Sequence, residues 1–293
     1  MRGEGHKENP YFMKMFDLTD RVALVTGTAQ GMGRAMATAL AEAGAHVMLL
    51  DRNTEGNEAT AHTISQMGRR AIPMTCDISN LKHIDRVYAK LDKEFGRIDI
   101  LGNVAGEAKV GPAEDMTIAE VEETFHNLVV SRFYCTQLAG RRMLQQGRGS
   151  IMSISSIAGV TSLGRTQAVY GMAMAAVIHM TKELSTEWSG RGVRVNAILP
   201  AQVLNAGLEK RMEADPYLRD TFLYGIPRGR FGHPDDIQGL SVWLASDASA
   251  FITGAIVPMD GGNLAKNGGG GLLAPIVEKY VGAKVAKKPR SKK

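Results

Sequence analysis

The sequence predicts a single α/β domain, a Rossmann-like doubly wound fold with a parallel sheet of about seven strands flanked by helices. Short apolar segments rich in β-branched residues alternate with helical patterns from residue 21 to about residue 260, which is typical of repeated βαβ units. A glycine-rich turn, TGTAQGMG (26–33), stands between the first apolar segment and the first helical one. At 293 residues the chain can bury such a core without a disulfide or a metal.

Each predicted strand is a short apolar run of the kind that is buried in parallel sheets. We predict strands at 21–26, 46–50, 71–76, 97–104, 150–155, 193–199 and 255–259. Helical spacing of apolar residues predicts helices at 33–43, 55–67, 81–95, 117–145, 169–189 and 234–246. Pro234 suits the first turn of the last helix. Residues 200–230 contain three prolines and predict an irregular substrate loop or lid.

The charge distribution divides the chain into an N-terminal extension (1–17), the folded domain (18–263) and a basic tail (264–293). The tail holds eight Lys or Arg residues and one acid, a net charge of +7, whereas the whole chain carries +5. The folded body is therefore slightly acidic. A basic tail can touch nucleic acid, but a solvated end is the commoner reason for such a run, so we do not expect nucleic-acid binding.

The remaining composition indicates a soluble chain in a reducing compartment. Cys76 and Cys135 belong to no paired or metal-binding motif, so we expect inert thiols, no metal site and a cytoplasmic location. No apolar run approaches the ~20 residues of a membrane span. The first ten residues are polar and charged, so we expect no signal peptide.

The glycine turn and the residue after the second strand predict a dinucleotide site. Gly27, Gly31 and Gly33 allow a tight turn and let the backbone approach a pyrophosphate at a helix N-terminus. Asp51 ends the second strand, where a carboxylate can accept both ribose hydroxyls and repel a 2′-phosphate. A plain Asp N-cap for the next helix is the alternative. The predicted cofactor is NAD.

Five short motifs together resemble one family. They are TGTAQGMG (26–33), CDI (76–78), NVAG (103–106), ISS (154–156) and Tyr170, fourteen residues after the serine that ends ISS. With them the chain resembles the short-chain dehydrogenase/reductase family over about residues 18–262. The resemblance implies Ser156 and Tyr170 as the active-site serine and the acid–base tyrosine. It implies a cofactor site formed by Thr26, Gly27, Gln30, Gly31, Met32, Gly33, Asp51, Arg52, Asp77, Ile78, Asn103, Ala105, Gly106, Pro200 and Asn205.

The chain departs from the family at the catalytic end. Met174 stands at the family's YxxxK lysine, and Leu128 stands at the position of its helical asparagine, because Asn127 would point about 100° away on an ideal helix. Val104, Ala201 and Asn205 replace further family residues near the nicotinamide. One engineered substitution cannot explain all five departures from the family. We therefore interpret the chain as a member of a natural divergent subfamily, with a deliberately inactivated variant as the alternative.

The loss of the lysine predicts a change in chemistry. A free phenol has a pKa of about 10, so its deprotonation at pH 7 costs about 4 kcal/mol. A neighbouring cation would lower that cost, and methionine supplies none. Alcohol oxidation needs the tyrosine as a base and should suffer most, whereas a neutral phenol already serves carbonyl reduction as an acid.

The leading hypothesis is an NAD-dependent oxidoreductase that interconverts a hydroxyl and a carbonyl on a small sugar, polyol or hydroxy acid. A non-redox lyase or epimerase, and a catalytically inactive NAD-binding protein, are the alternatives. We expect a homotetramer, because the family pairs its long helices across one interface and because helix 169–189 is apolar on several faces. Polar candidates for the substrate site are Glu107, Lys109, Arg165 and Gln202.

Overall fold

The chain folds around a central parallel sheet. The structure is a computed structural model that describes residues 13–163, 166–214 and 216–266. Within these residues seven strands pair in the order β3-β2-β1-β4-β5-β6-β7, and every pairing is parallel. The strands are β1 (Val22–Thr26), β2 (His46–Asp51), β3 (Ala71–Thr75), β4 (Ile100–Asn103), β5 (Gly149–Ile154), β6 (Val193–Pro200) and β7 (Ile256–Met259). The predicted fold class is confirmed.

Helices connect the strands and cover both faces of the sheet. They are α1 (Gly31–Glu42), α2 (Thr54–Gln66), α3 (Leu81–Glu94), α4 (Ile118–Phe125), α5 (Ser131–Gln146), α6 (Ala168–Trp188), α7 (Ala206–Ala214), α8 (Pro216–Tyr224) and α9 (Gln238–Ala245). A π turn, His126–Val130, joins α4 to α5, and short 3₁₀ segments include Ile157–Gly159 and Pro234–Ile237. No helix among the described residues is long and apolar enough to cross a membrane.

Two apolar clusters form the core, one on each face of the sheet. Successive side chains of a strand point to opposite faces, and in β1 the side chains of Leu24 and Val25 enter different clusters. All five residues of β1 are buried. A central strand buried on both sides explains the continuous apolar runs by which the sequence predicted these strands.

The sheet order reverses beside β1, which pairs with β2 on one side and β4 on the other. Ligands of open parallel sheets bind at the carboxyl ends of the strands next to such a reversal. The glycine turn after β1, Asp51 at the end of β2 and the NVAG turn after β4 all lie at this edge. The topology therefore assembles the predicted cofactor residues at one place.

Three predicted elements differ from the structure. Residues 200–230 are not an irregular loop throughout, because they contain α7 and α8. The Oδ1 of Asn205 accepts the Leu208 N–H at 2.9 Å in the first turn of α7, and a proline at position 216 suits the first turn of α8. The helix predicted at 117–145 is interrupted by the π turn, and the one predicted at 234–246 begins as a 3₁₀ segment. The glycine joint at 267–271 and the end of the basic tail lie outside the described residues.

Candidate functional site

The turn between β1 and α1 leaves room for a ligand against the backbone. Gly27 has a φ of 77°, and a Cβ there would stand 3.2 Å from the Ala105 nitrogen. A Cβ on Gly33 would stand 2.0 Å from the Gly27 carbonyl oxygen, which is far shorter than a van der Waals contact. The two glycines are therefore required for the turn to close onto α1 and onto the NVAG turn. The N-terminus of α1 faces the cleft that results, as pyrophosphate binding requires.

Asp51 holds its carboxylate at the wall of this cleft with two backbone hydrogen bonds. Its Oδ2 accepts the Ala29 N–H at 2.9 Å, and its Oδ1 accepts the Asn53 N–H at 2.8 Å. A carboxylate has about four acceptor positions, so each oxygen can accept one more donor. The helix that follows is capped by Asn53, whose side chain accepts the Gly56 N–H at 3.1 Å, so the alternative of a plain N-cap at Asp51 is wrong.

The cleft is about 750 Å³ in volume and acidic. Asp77 is held by Ser79, whose hydroxyl and N–H it accepts at 2.8 and 2.9 Å, and the hydroxyl's hydrogen bond lowers the pKa of Asp77 below its usual value. Arg52 also lines the cleft. Its Nη1 and Nη2 donate to the two carboxylate oxygens of Glu107, which makes a bidentate ion pair. Most predicted cofactor residues line the cleft: Gly27, Gln30, Gly31, Met32, Gly33, Asp51, Arg52, Asp77, Ile78, Ala105, Gly106 and Asn205.

Three predicted cofactor residues do not line the cleft. Thr26 is buried, and its hydroxyl accepts the N–H groups of Val104 and Ala105 at 2.9 and 3.0 Å, so it joins the turns after β1 and β4. Asn103 is buried and donates to the Thr136 hydroxyl at 2.8 Å. Pro200 is buried at the end of β6. The three residues lie in the layer beneath the residues that line the cleft.

Ser156 and Tyr170 come from the end of β5 and the first turn of α6. The Ser156 hydroxyl accepts the Ala158 N–H at 3.1 Å, which starts a 3₁₀ turn. The Ser155 hydroxyl donates to the Met174 carbonyl at 2.9 Å and so fastens α6 to the end of β5. Tyr170 is partly buried one helical turn before Met174. Neither Ser156 nor Tyr170 is among the residues that line the 750 Å³ cleft.

The positions of the missing lysine and asparagine are apolar and buried together. Met174 and Leu128 are 1% and 2% exposed and pack in one cluster with Ala173 and Val177, against which the Tyr170 ring lies. Both positions are therefore filled by apolar side chains that pack in the same cluster. No polar side-chain atom of either residue is available to support proton transfer.

The π turn corrects the prediction made for Asn127. The Ser131 N–H bonds to the His126 carbonyl, five residues earlier, so the helix carries one residue more than an ideal α-helix would there. Asn127 lines the cofactor cleft, although its position on an ideal helix would have turned it away. The sequence analysis missed the one extra residue in the π turn, because the spacing of apolar residues does not reveal it.

Three of the four residues predicted for the substrate site are described by the structure, and they lie apart. Glu107 is at the cofactor cleft, paired with Arg52, and Lys109 is paired with Glu123 at 3.5 Å across the loop after β4. Gln202 lines a separate cavity of about 340 Å³ next to Arg228 and Asp260. The fourth, Arg165, lies outside the described residues.

Sequence reasoning missed a charged side chain beneath the site. Arg132 follows Leu128 by one helical turn and is 4% exposed. Its guanidinium donates to the carbonyls of Val104, Ala105 and Ile154, at the ends of β4 and β5. The sequence did contain a signal for it. Arg132 lies on the same helix face as Leu128, Cys135 and Ala139, and these residues are apolar or small and buried.

Comparison with known proteins identifies the family. Residues 27–263 match the family model described as enoyl-(acyl carrier protein) reductase. The chain is 38% identical over 247 residues to a D-threitol dehydrogenase of Mycolicibacterium smegmatis, covering 84% of this chain and 94% of the relative. It is 36% identical over 251 residues to an NAD-dependent glycerol dehydrogenase of Listeria innocua, covering 86% and 96%.

A solved structure agrees with these relatives. A crystal structure from Beutenbergia cavernae, described as that of a candidate NAD(P)-dependent gluconate 5-dehydrogenase with NADP bound at low occupancy, is 35% identical and has a TM-score of 0.81, covering 86% of this chain and 100% of that one. The shared topology, the glycine turn and the extent of these matches show that the chain belongs to the short-chain dehydrogenase/reductase family.

Proposed function

We propose that the protein is an NAD-dependent oxidoreductase that interconverts a hydroxyl and a carbonyl on a small polar molecule, a polyol, sugar or hydroxy acid. The observation that carries the proposal is the combination of an intact dinucleotide cleft with Ser156 and Tyr170 at the neighbouring strand and helix ends. A chain that only bound the cofactor would have no chemical need for that pair.

The residues have separate roles in this proposal. The Ser156 hydroxyl hydrogen-bonds to the reacting oxygen, and the Tyr170 hydroxyl donates a proton to it in reduction or accepts one in oxidation. The cofactor, when bound, supplies or accepts the hydride. The bare backbone at Gly27 and Gly33 and the open acceptor positions of Asp51 fit a dinucleotide.

The charges of the cleft favour NAD over NADP. Asp51 and Asp77 stand on the wall and form no ion pair with an arginine in the described part of the chain, and Arg52 is paired with Glu107. An added 2′-phosphate would therefore meet carboxylates rather than a free guanidinium. The NADP in the Beutenbergia structure shows that a protein of the same fold can hold the other cofactor, so the preference rests on these side chains.

Two buried amide oxygens favour a substrate with several hydroxyls. The Oε1 atoms of Gln167 and Gln202 are buried and accept no hydrogen bond from any described residue. Gln167 lines a cavity of about 710 Å³ beside the start of α6, and Gln202 lines the 340 Å³ cavity. Each needs a donor to offset its burial. Hydroxyl groups supply such donors, and the relatives named above act on polyols and sugar acids.

A cofactor-binding protein without turnover is the second candidate, favoured by the buried pair Met174 and Leu128. A lyase or epimerase that keeps NAD as a helper remains the third. The retention of Ser156 and Tyr170 favours both enzymes over the inactive protein, because a site without turnover has no chemical need for that pair.

The assembly we propose is a homotetramer in the cytoplasm, with residues 1–17 and 264–293 flanking the folded domain. Val130 and Phe133 on one helical segment and Met172 on the next expose large apolar side chains, as faces covered by another subunit do. Cys76 and Cys135 are buried and unpaired, and burial raises their pKa values to about 11 and about 12, so both stay inert thiols in a reducing compartment.

The test is a panel assay of D-threitol, glycerol, xylitol and gluconate with NAD⁺ or NADP⁺, followed at the nicotinamide absorbance. We expect turnover of at least one polyol, with NAD⁺ preferred. Tight NAD binding without any turnover in either direction would favour the second candidate. Conversion of a substrate without an absorbance change would favour the lyase or epimerase.

A further inference from the structure

A cavity of about 550 Å³ lies at the edge of the sheet opposite to the cofactor cleft. Its walls include Arg21 and Asp99, which directly precede β1 and β4, and Gly149, the first residue of β5. The amino-terminal ends of parallel strands share one edge of a sheet, whereas the cofactor cleft lies at the carboxyl ends. Since each residue advances a strand by about 3.3 Å, the two cavities are a strand length apart. No described residue lines both of them.

Two arginines of this cavity share one carboxylate. Arg21 donates from Nη2 to Oδ2 of Asp247 at 2.8 Å, and Arg148 donates from Nη2 to Oδ1 of the same side chain at 3.4 Å. The Arg21 side chain is 12% exposed, whereas those of Arg148 and Asp247 are 49% and 64% exposed. One carboxylate therefore holds two guanidinium groups side by side.

A third arginine joins them at the end of α9. Arg194 donates from Nη2 to the carbonyls of Leu244 and Ser246 at 2.7 and 3.2 Å. Arg21 donates from Nη1 to the carbonyl of Ala245, which lies between these two in the chain, at 3.0 Å. Three consecutive carbonyl groups thus bind the guanidinium groups of Arg21 and Arg194, so the fold brings three arginines to one wall of the cavity.

The charges around this cavity do not balance. Asp99 is the second carboxylate on its wall, and it accepts a hydrogen bond from Nε of Arg97 at 2.9 Å, so its charge is compensated. Asp247 alone among the described carboxylates of the wall remains to face the three arginines. Three positive charges and one negative charge leave a net charge of +2 on the wall.

This excess charge lies in a partly buried place. Burial lowers the pKa of Arg194 to about 10, and the charges of the two neighbouring arginines act in the same direction, against the opposing effect of Asp247. An arginine with such a pKa stays protonated at neutral pH. Like charges that are held close together away from water repel each other, so an anion between them would remove an electrostatic cost.

Arg148 has most of its hydrogen-bonding capacity left for a ligand. A guanidinium group carries five N–H groups, and the one hydrogen bond that Arg148 forms with a described residue is that to Asp247. Arg21 uses two of its N–H groups in bonds to described residues. The side chains that carry the excess charge can therefore also donate to the oxygens of a bound anion.

We propose that this cavity binds a phosphate group through Arg21, Arg148 and Arg194. A phosphate ester carries a charge of about −1.5 to −2 at pH 7, which matches the excess charge of the wall. Guanidinium groups bind phosphate oxygens with two parallel hydrogen bonds. Cavities of about 300–1,000 Å³ hold small organic ligands, so this one has room for the organic part of a small phosphate monoester as well as for the free ion.

Calorimetric titration of the full chain with inorganic phosphate and with glycerol 3-phosphate tests the site. Ionic strength is held constant with sodium chloride, and NAD is kept saturating because the helix N-terminus at the cofactor cleft also binds phosphate. We expect one phosphate for each chain, with a Kd of about 1 mM or lower. Binding of glycerol 3-phosphate about threefold or more tighter than that of free phosphate identifies a monoester as the ligand, and equal or weaker binding identifies the free ion.

Arg148→Gln distinguishes this site from any other place where phosphate binds. Loss of a charge-assisted hydrogen bond and of one positive charge should weaken phosphate binding about tenfold or more. Arg141→Gln is the matched control, since Arg141 is exposed on α5 and does not line the cavity. We expect the control to bind phosphate as wild type does, and both variants to bind NAD as wild type does.

A second pair of variants leaves the arginines in place. Ala250 is an exposed residue of the cavity wall, so Ala250→Glu adds a negative charge without removing a contact of the guanidinium groups. We expect it to weaken phosphate binding about fivefold or more, and the neutral Ala250→Gln to weaken it by less than about twofold. Equal binding by these two variants would contradict the proposal. This pair decides if Arg148→Gln does not fold.

Absence of saturable phosphate binding by wild type would overturn the proposal, and so would equal affinities of wild type and folded Arg148→Gln. Malonate bound as tightly as phosphate would overturn the assignment of the ligand class. Because the readout is phosphate affinity, it stands apart from the proposed function. A protein that binds no NAD or turns over no polyol would reject that function, and the comparison of wild type with Arg148→Gln would still decide whether the phosphate site exists.

Discussion

The two ends of the binding site follow different rules. At the cofactor end the backbone sets the geometry: a side-chain atom on Gly33 would overlap the Gly27 carbonyl, and Asp51 is fastened by two backbone N–H groups. At the catalytic end the residues are side chains packed in an apolar cluster, where Met174 and Leu128 stand at the positions of the family's lysine and asparagine. The backbone contacts of the cofactor end leave few alternative residues, whereas a packed side chain can be replaced by another of similar volume.

The largest expected effect separates chemistry from binding. Tyr170→Phe should lower turnover by about a hundredfold or more, because positioned proton transfer contributes 10²–10⁴ in rate, while the affinity for NAD stays within about twofold. Steady-state rates and calorimetric NAD titration measure the two quantities. Equal losses in both would show that the two ends are not independent.

A glycine variant tests the cofactor end. Gly33→Ala should weaken NAD binding at least tenfold, about 1.4 kcal/mol, since its Cβ would stand 2.0 Å from the Gly27 oxygen. Gly239→Ala is the matched control, because it lies in α9 with no atom within 4 Å of its Cβ. We expect the control to bind NAD as wild type does. Normal binding by Gly33→Ala would mean that the turn can open.

The choice of cofactor should depend on one carboxylate. Asp51→Ser removes the charge and the ribose acceptor, so the ratio of NAD to NADP affinity should fall by about tenfold. Titration of both cofactors against each variant measures it. Glu58→Ser, an exposed acid on α2, is the control. An unchanged ratio would show that Asp51 does not set the preference.

Restoring the family lysine should matter less than its position suggests. Met174→Lys in the wild-type background should raise D-threitol oxidation by less than about tenfold, because position 174 is buried in an apolar cluster and a buried unpaired lysine tends to lose its charge. Met174→Leu is the neutral control. A gain of several tens-fold near neutral pH would mean that the methionine is a simple knockout, and the interpretation as a divergent subfamily would be wrong.

The smallest expected effect lies at the 340 Å³ cavity, which Arg230 and Asp236 line. Hydrogen bonding to Arg230 lowers the pKa of Asp236 to about 2, and its Oδ2 accepts the His233 N–H at 2.7 Å. A depressed folded pKa stabilises the protein above the unfolded value of about 4 and loses that contribution as pH falls toward 2. Asp236→Asn should lower Tm by a few degrees at pH 7, corresponding to about 1 kcal/mol for this partly exposed pair.

The control for that variant is its pH dependence. Thermal melts of wild type and Asp236→Asn should converge near pH 2. A difference in Tm that persists at pH 2 would indicate a loss of packing rather than of charge.

The sequence predicted the sheet because its signals are local. Apolar runs and glycine turns identify each strand within a few residues, and repeated βαβ units leave little choice of topology. The helices α7 and α8 were missed because three prolines suggested an irregular segment, although proline is tolerated at the first turn of a helix. Thr26 and Asn103 fall at predicted positions, yet the Thr26 side chain bonds the turn after β4 and the Asn103 side chain bonds α5 rather than lining the cleft, which spacing alone does not show.

At the catalytic end, the prediction was limited because it inferred contacts from the spacing of residues in the sequence. The sequence reveals that Met174 lacks an ammonium group, but it does not reveal that Arg132, on another helix, is buried beneath the site. Only the folded structure relates Arg132 to the carbonyls at the ends of β4 and β5. The roles of Ser156, Tyr170 and the substrate candidates stay predictions until the variants above are measured.

The π turn at His126–Val130 also bears on how this chain is compared with its relatives. A π turn takes up one residue more than an α turn, so a gap-free alignment with a relative that has an α turn there would pair every residue on one side with the wrong neighbour. Deleting a single residue there and rewinding the turn as α would rotate everything before it by about 100° relative to α5. Asn127 would leave the cleft while Arg132 stayed in place. Helix length at this point, rather than residue identity, thus controls which side chains the cleft receives.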